Sequence, residues 1–367
     1  MSSNKLFGKY RLGGLPLSNR IVMAPMTRSR AIQNLPNSLM ADYYGQRAAA
    51  GLIITEGVSP SPNGLGYARI PGLFNQQQLE GWRLVTDAVH AKNGHIFMQL
   101  MHTGRITHAL NQPVDAKIWA PSAIKAGGLM WTDQAGMQDL PVPEEMNLKA
   151  LQQTKDEFVA AANLAIAAGF DGIELHGANG YLLEQFLSPH SNQRKDEYGG
   201  SIVNRARFVV EVAAAVSQAI GKERTAIRLS PYGVFNDMPP YPEIENMYMH
   251  LIEEFNRLGL VYIHLLDQVN RGNEAAPRSI IELFGRKFQN SLILCGGYTK
   301  ERAEKELQYG YADLIAFGRP FINNPDLVDR FSKDWALSEK LDVNTFYAGG
   351  PKGYTDYSKH VLEPLTA

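Results

Sequence analysis

The chain has one cysteine, Cys295, in 367 residues. A single thiol excludes an intramolecular disulfide framework, a zinc site of four thiolates and a four-cysteine iron–sulfur cluster. Excess charge of either sign is also missing, because 36 Lys plus Arg stand against 37 Asp plus Glu for a formal charge of −1. That balance argues against a global footprint for nucleic acid or an anionic membrane, and leaves open a local basic pocket. No run approaches the roughly 20 apolar residues that span a bilayer. The opening Met1-Ser2-Ser3-Asn4-Lys5-Leu6-Phe7-Gly8-Lys9-Tyr10 has no apolar signal core. The expectation is a soluble, cytoplasmic protein with neither nucleic-acid nor membrane partners, as a monomer or homodimer.

Hydrophobic residues make up 44% and charged residues 20%, a globular balance. Short β-branched runs alternate with stretches of helical periodicity, the pattern of a parallel sheet with crossover helices. The candidate strands are Arg20–Met23, Leu52–Glu56, His95–Leu100, Gly172–His176, Ala226–Leu229, Val261–Leu266, Leu292–Leu294 and Leu314–Phe317. Between them, apolar residues recur three to four apart, as in Leu79, Trp82, Val85 and Val89, then Leu151, Phe158, Ala162 and Ala165, then Met247, Leu251, Phe255 and Leu258. Eight strand–helix units point to an α/β fold, a single (β/α)8 TIM barrel, rather than an open doubly wound sheet. One domain over residues 1–367 is expected, since no linker, charge run or composition shift divides the chain. Two stretches stand outside the unit: the first 18 residues, read as a hairpin, and a Gly/Pro-punctuated excursion over 103–145 after the third strand, read as a cap.

In such a barrel the chemistry lies at the carboxyl ends of the strands, and those positions are polar here. Alternation turns Ile173, Leu175, Ile227 and Leu229 outward and Glu174, His176 and Arg228 inward. An inward Arg228 is either structural or holds something electron-rich. Gly296-Gly297 and Gly318-Arg319 end the last two strands, where TIM barrels often bind phosphate. His176-Gly177-Ala178-Asn179-Gly180-Tyr181 brings an imidazole, an amide and a phenol to one strand end. There, two N–H donors can meet one oxygen and a third group can deliver a proton. The bland alternative is a satisfied histidine with a helix-entry asparagine. No strand-end lysine suits a Schiff base, no carboxylate partner for Glu174 suits a glycosidase, and no His-x-Glu or His-Glu-x-x-His spacing suits a metal.

Taken together the motifs resemble the Old Yellow Enzyme family of flavin-dependent ene-reductases. The segments that carry this run from Asn19-Arg20-Ile21-Val22-Met23-Ala24-Pro25-Met26-Thr27-Arg28 through Gln99-Leu100-Met101-His102-Thr103-Gly104-Arg105 to His176-Gly177-Ala178-Asn179-Gly180-Tyr181-Leu182. Asp196-Glu197-Tyr198-Gly199-Gly200-Ser201, Asn204-Arg205-Ala206-Arg207-Phe208, Phe317-Gly318-Arg319-Pro320-Phe321 and Gly353-Tyr354-Thr355-Asp356-Tyr357 complete the match. The resemblance implies non-covalent FMN on the carboxyl face. Pro25, Met26 and Thr27 would lie along the isoalloxazine, Gly57 at its edge, Gln99 and Arg228 at its pyrimidine side, and Gly297, Gly318 and Arg319 around the phosphate. It further implies NADPH or NADH as co-substrate and activated alkenes as small-molecule substrates. His176 and Asn179 would bind a carbonyl or nitro oxygen, and Tyr181 would protonate the α-carbon. Tyr67, Met101 and Tyr347 would shape the pocket.

Met101 departs from the aromatic residue common before the His of that motif and is expected to widen or soften the pocket, which leaves the family's substrate preference open here. Thr27 stands where one subgroup has cysteine, and Cys295, in the seventh strand, is read as packed rather than reactive. Two other readings remain: a flavin-free phosphate-binding barrel isomerase or lyase, and a flavin-binding protein without catalysis.

Overall fold

A computed structural model describes residues 4–267 and 276–360. Eight parallel strands, β3 (Ile21–Met23), β4 (Leu52–Val58), β5 (Ile96–Leu100), β10 (Gly172–Gly177), β11 (Thr225–Leu229), β12 (Tyr262–Leu266), β13 (Ser291–Cys295) and β14 (Leu314–Phe317), close into a barrel in which β14 pairs with β3. All eight candidate strands are there, with ends moved by a residue or two. The hairpin of β1 (Tyr10–Leu12) and β2 (Leu15–Leu17) places Leu12 and Leu17 in one buried cluster with the barrel interior residues Val22, Leu52, Phe97 and Leu314, so it plugs the amino end.

Alternation along the strands sorts the side chains as expected. Ile21 and Met23 pack outward against helices while Val22 packs inward. Ile173, Leu175, Ile227 and Leu229 join the outer cluster. Around the barrel run α1 (Ser38–Gln46), α2 (Gln76–His90), α3 (Leu148–Ala167), α4 (Leu182–Leu187), α5 (Ile202–Ile220), α6 (Ile244–Leu258), α7 (Arg278–Lys287), α8 (Lys300–Tyr309), α9 (Arg319–Asn323) and α10 (Leu327–Ser332). Five of these helices begin on a capping side chain, Asn37, Asn75, Asn147, Ser201 or Thr299, which accepts an otherwise unpaired N–H of the first turn. The apolar stripes of α2 and α3 are buried, and in α6 only Leu258 is left half-buried. Among the described residues no helix is long and apolar enough to cross a membrane.

The excursion after β5 has structure of its own. Within it β6 (Trp119–Ala120) pairs with β9 (Glu144–Glu145), and β7 (Leu129–Thr132) forms a hairpin with β8 (Gly136–Asp139). Ile106, Ala126, Met130 and Leu140 from it share a buried cluster with Met101 and Tyr181, which fixes this segment over the carboxyl end of the barrel.

Candidate active site

The carboxyl ends of the strands bring most of the expected residues to one face. Pro25, Met26 and Thr27 follow β3 and are half-buried, whereas Arg28, Ser29 and Arg30 beyond them are buried. Gly57 lies near the end of β4, where the pairing with β5 shifts register between Ile54 and Gly57. A Cβ at Gly57 would come within 2.6 Å of the Met101 Sδ and Cε atoms, so glycine there admits the methionine. The turn after β13 also depends on glycine: Gly296 has φ +140° and its absent Cβ would meet Asp267 O at 2.1 Å, and Gly297 follows at φ +67°. Gly318 precedes α9, and Arg319 is exposed, with no hydrogen bond or ion pair to another described residue.

Inside the barrel, Gln99, Glu174, Arg228 and His264 form a buried polar layer. Glu174 accepts from Gln99 Nε2 at 2.7 Å and shares a 2.9 Å hydrogen bond with His264 Nδ1. The partners of Glu174 are therefore Gln99 and His264; Arg228 acts on it through space alone. Burial opposes the Glu174 charge, but His264, then Arg228 and Gln99, hold the carboxyl below its ordinary range. Burial pulls His264 down, but Glu174 and Cys295 together draw it above its ordinary range. Arg228 Nη2 reaches Cys295 Sγ at 3.7 Å, and Arg228 Nε is buried without a partner. Cys295 is buried as expected; burial pushes its thiol up, and His264 and Arg228 together bring it lower than usual.

Arg228 is thus a deeply buried guanidinium with a weak bond to sulfur and an orphan Nε, an arrangement that suits an electron-rich group. The half-buried Thr27, the glycine turn after β13 and the uncommitted Arg319 provide a hydroxyl, close backbone approach and a cation at other points of the same face. This donor set fits FMN.

At the end of β10 the loop brings His176 and Tyr181 into contact, with Asn179 between them in sequence. His176 Nδ1 accepts the Ala178 N–H at 3.3 Å, so a neutral ring carries its proton on Nε2. The His176 and Tyr181 rings meet edge to face at 4.9 Å, and Tyr181 and Tyr67 join hydroxyls at 2.9 Å. Asn179 Oδ1 is buried without a partner. His102 Nδ1 accepts from Gly104 N at 3.1 Å, and burial pushes its imidazole down to about 3, which keeps it neutral. Tyr347 stands at the rim, 60% exposed, with its carbonyl accepting from Arg69 Nη2 at 2.8 Å.

Reading the sequence missed three groups. His264 carries the same inward alternation as Arg228 and was available to that rule. Glu56, which accepts from Tyr44 OH at 3.3 Å and Arg28 N at 3.3 Å, and Glu184, under the His176–Tyr181 loop, have no motif that marks them.

Comparison with known proteins fits this geometry. The NADH:flavin oxidoreductase / NADH oxidase family model matches residues 5–338. The chain belongs to this family. The 12-oxophytodienoate reductase 1 of Oryza sativa subsp. japonica is 41% identical over 359 residues, covering 96% of this chain and 92% of the relative. A Leishmania infantum protein named as a probable flavin mononucleotide-dependent alkene reductase is 42% identical over 353 residues, covering 94% and 95%. The solved structure of morphinone reductase superposes with a TM-score of 0.94 at 42% identity, covering 98% of this chain and 97% of that one. As an NADH:flavin oxidoreductase the protein is an FMN-dependent enzyme that takes electrons from a reduced nicotinamide. A buried cation and a glycine turn on the same barrel face agree with that chemistry.

Proposed function

We propose that the carboxyl face of the barrel reduces activated carbon–carbon double bonds, with His176 and Asn179 holding the substrate's carbonyl or nitro oxygen and Tyr181 delivering the proton. The protein is an NAD(P)H-dependent FMN ene-reductase acting on α,β-unsaturated carbonyl or nitro compounds. FMN, when bound, carries hydride from NADH or NADPH to the alkene. Pro25, Met26, Thr27, Gly57, Gln99 and Arg228 would hold its ring, and Gly297, Gly318 and Arg319 its phosphate.

The other roles fall to side chains. His176 Nε2–H and the Asn179 amide draw charge onto the substrate oxygen, which makes the far alkene carbon electrophilic. Tyr181, hydrogen-bonded to Tyr67 OH and packed edge to face on His176, holds the proton. Met101 and Tyr347 set the width of that pocket, and the 103–145 excursion closes it to water.

The observation that carries this reading is the meeting of Tyr181 with His176 of its own strand end and with Tyr67 from the loop after β4. Anaerobic titration tests it. The yellow protein bleaches with NADPH and regains its colour with 2-cyclohexenone; an oxidised spectrum unchanged by either reagent refutes it. Phenol added to the oxidised enzyme gives a long-wavelength charge-transfer band that is lost when His176 and Asn179 are both replaced by alanine.

A further inference from the structure

Glu184 is a buried carboxyl for which the reaction above has no use. It lies in α4, one turn past Tyr181, and is 5% exposed. Its Oε2 accepts the Gly180 N–H at 2.5 Å, and its Oε1 accepts Ser230 Oγ–H at 2.7 Å and Tyr248 O–H at 3.2 Å. Ser230 Oγ in turn accepts the Asn179 N–H at 2.8 Å. One carboxylate thus grips two successive peptide N–H groups, the second directly and the first through one hydroxyl.

Those two peptides need the hold. Asn179 and Gly180 are both left-handed, at φ +59° and +71°. For asparagine that conformation costs about 1 kcal/mol. A Cβ at Gly180 would meet Phe235 O at 2.7 Å, so glycine is required there. Asn236 Nδ2 adds one further tie, to Asn179 O at 2.8 Å.

We propose that Glu184, as its carboxylate, is the positioning residue that sets the turn presenting Asn179 and Tyr181 to the substrate, and that its protonation loosens this turn and weakens binding of the substrate oxygen. The proposal rests on the oxygen-binding role of Asn179 given above. All three groups facing the carboxyl point a hydrogen at it: the Gly180 N–H can only donate, and Ser230 Oγ has already accepted from Asn179. Protonating Oε2 puts a hydrogen against the Gly180 N–H, and protonating Oε1 puts one against Ser230 or Tyr248. Either way the carboxylate charge that strengthens the bonds from Gly180 N–H and Ser230 Oγ–H is lost, and the hold on the turn weakens.

Burial pushes Glu184 up to about 7 against the pull of its three hydrogen bonds, so this exchange falls in an accessible pH range. The titratable groups that face it are Tyr248 of α6 and Tyr241, just before α6, both driven far above neutrality by burial. Arg205 of α5 lies over the Tyr241 ring at 5.7 Å and faces Glu243 at 3.5 Å. Neither tyrosine changes charge near neutral pH.

The test compares FMN-loaded wild type with Glu184→Gln by phenol titration between pH 5.5 and 8.5, and by amide exchange of the 177–183 segment read by mass spectrometry. The ratio of the two phenol dissociation constants cancels phenol's own ionisation. A ratio of about 10 at pH 8.5, the loss of one charge-assisted hydrogen bond, falling toward 1 at pH 5.5, supports the proposal. It also requires faster exchange of the segment in the variant at pH 8.5. A ratio near 1 throughout with unchanged exchange overturns it. Should Glu184→Gln not fold, Ser230→Ala breaks the path from Asn179 to the carboxylate, and the same ratio of about 10 and faster exchange are expected at pH 8.5, their absence overturning the proposal. If Asn179→Ala leaves phenol binding intact, the oxygen-binding reading fails, and the exchange measurement still decides for or against Glu184 as the support of the turn.

Discussion

The hydroxyls of Tyr67 and Tyr181 lie 2.9 Å apart, joining the loop after β4 to the loop after β10 across the mouth of the barrel. Burial, reinforced by Tyr181, drives the Tyr67 phenol far above its ordinary range, so Tyr67 stays neutral and able to donate or accept. Tyr181→Phe removes the proposed acid and should slow reoxidation by an enone about 100-fold, within the usual range for general-acid loss. Flavin reduction by NADPH should change far less. Tyr67→Phe keeps the acid and should cost less than about 10-fold. Stopped-flow measurement of the two half-reactions checks both, and equal slowing of the two steps in Tyr181→Phe would count against its role.

Arg228 is held by a single bond to sulfur, so its replacement should be felt by the flavin more than by the fold. Arg228→Lys keeps the charge and loses the planar fork. We expect FMN affinity to fall by about 10- to 100-fold, the range for one charge-assisted hydrogen bond. Fluorescence of FMN released on dialysis measures it, with the melting temperature of the apoprotein as control.

The contact between Gly57 and Met101 predicts a reciprocal pair of variants. Gly57→Ala forces the methionine side chain aside and should destabilise the protein by about 1–3 kcal/mol, the usual cost of overpacking. Adding Met101→Ala opens the space and should return part of that loss, a coupling that denaturant unfolding of the four proteins resolves.

Glu56 is buried, and desolvation lifts its carboxyl from 4.5 to about 7 despite bonds from Arg28 N and Tyr44 OH. Between those values the folded chain keeps a proton that the unfolded chain has released. The resulting stability is therefore fully present below about 4.5 and is lost as pH rises through about 7. Up to about 3 kcal/mol is at stake. His102, held neutral by burial, works the other way below about 6.5, so the check is a difference. In melts at pH 5, 6, 7 and 8, the stability of wild type relative to Glu56→Gln should fall between pH 5 and 7. Glu184 contributes with the same sign, so a residual slope remains in the variant.

The sequence alone determined the barrel and its polar face. Period-two alternation in Gly172–His176 and Ala226–Leu229 decides which side chains turn inward, because successive Cβ atoms on a strand point to opposite faces. The stripes of α2, α3 and α6 likewise fix which helix faces pack. These are local rules, and they hold wherever the chain goes. Which inward groups become partners is a different matter, since that depends on how far each strand is staggered when the barrel closes. Glu174 and His264 are 90 residues apart and meet at 2.9 Å; Glu184 and Ser230 are 46 apart and meet at 2.7 Å. Nothing at either end of such a pair marks the other. Closure alone decided that Glu174 bonds His264 rather than Arg228, leaving Nε of the Arg228 guanidinium without a partner. It also decided that a carboxylate with no motif would support the turn at Asn179. The lone cysteine, which at first only excluded clusters and disulfides, is placed by the same closure against that guanidinium.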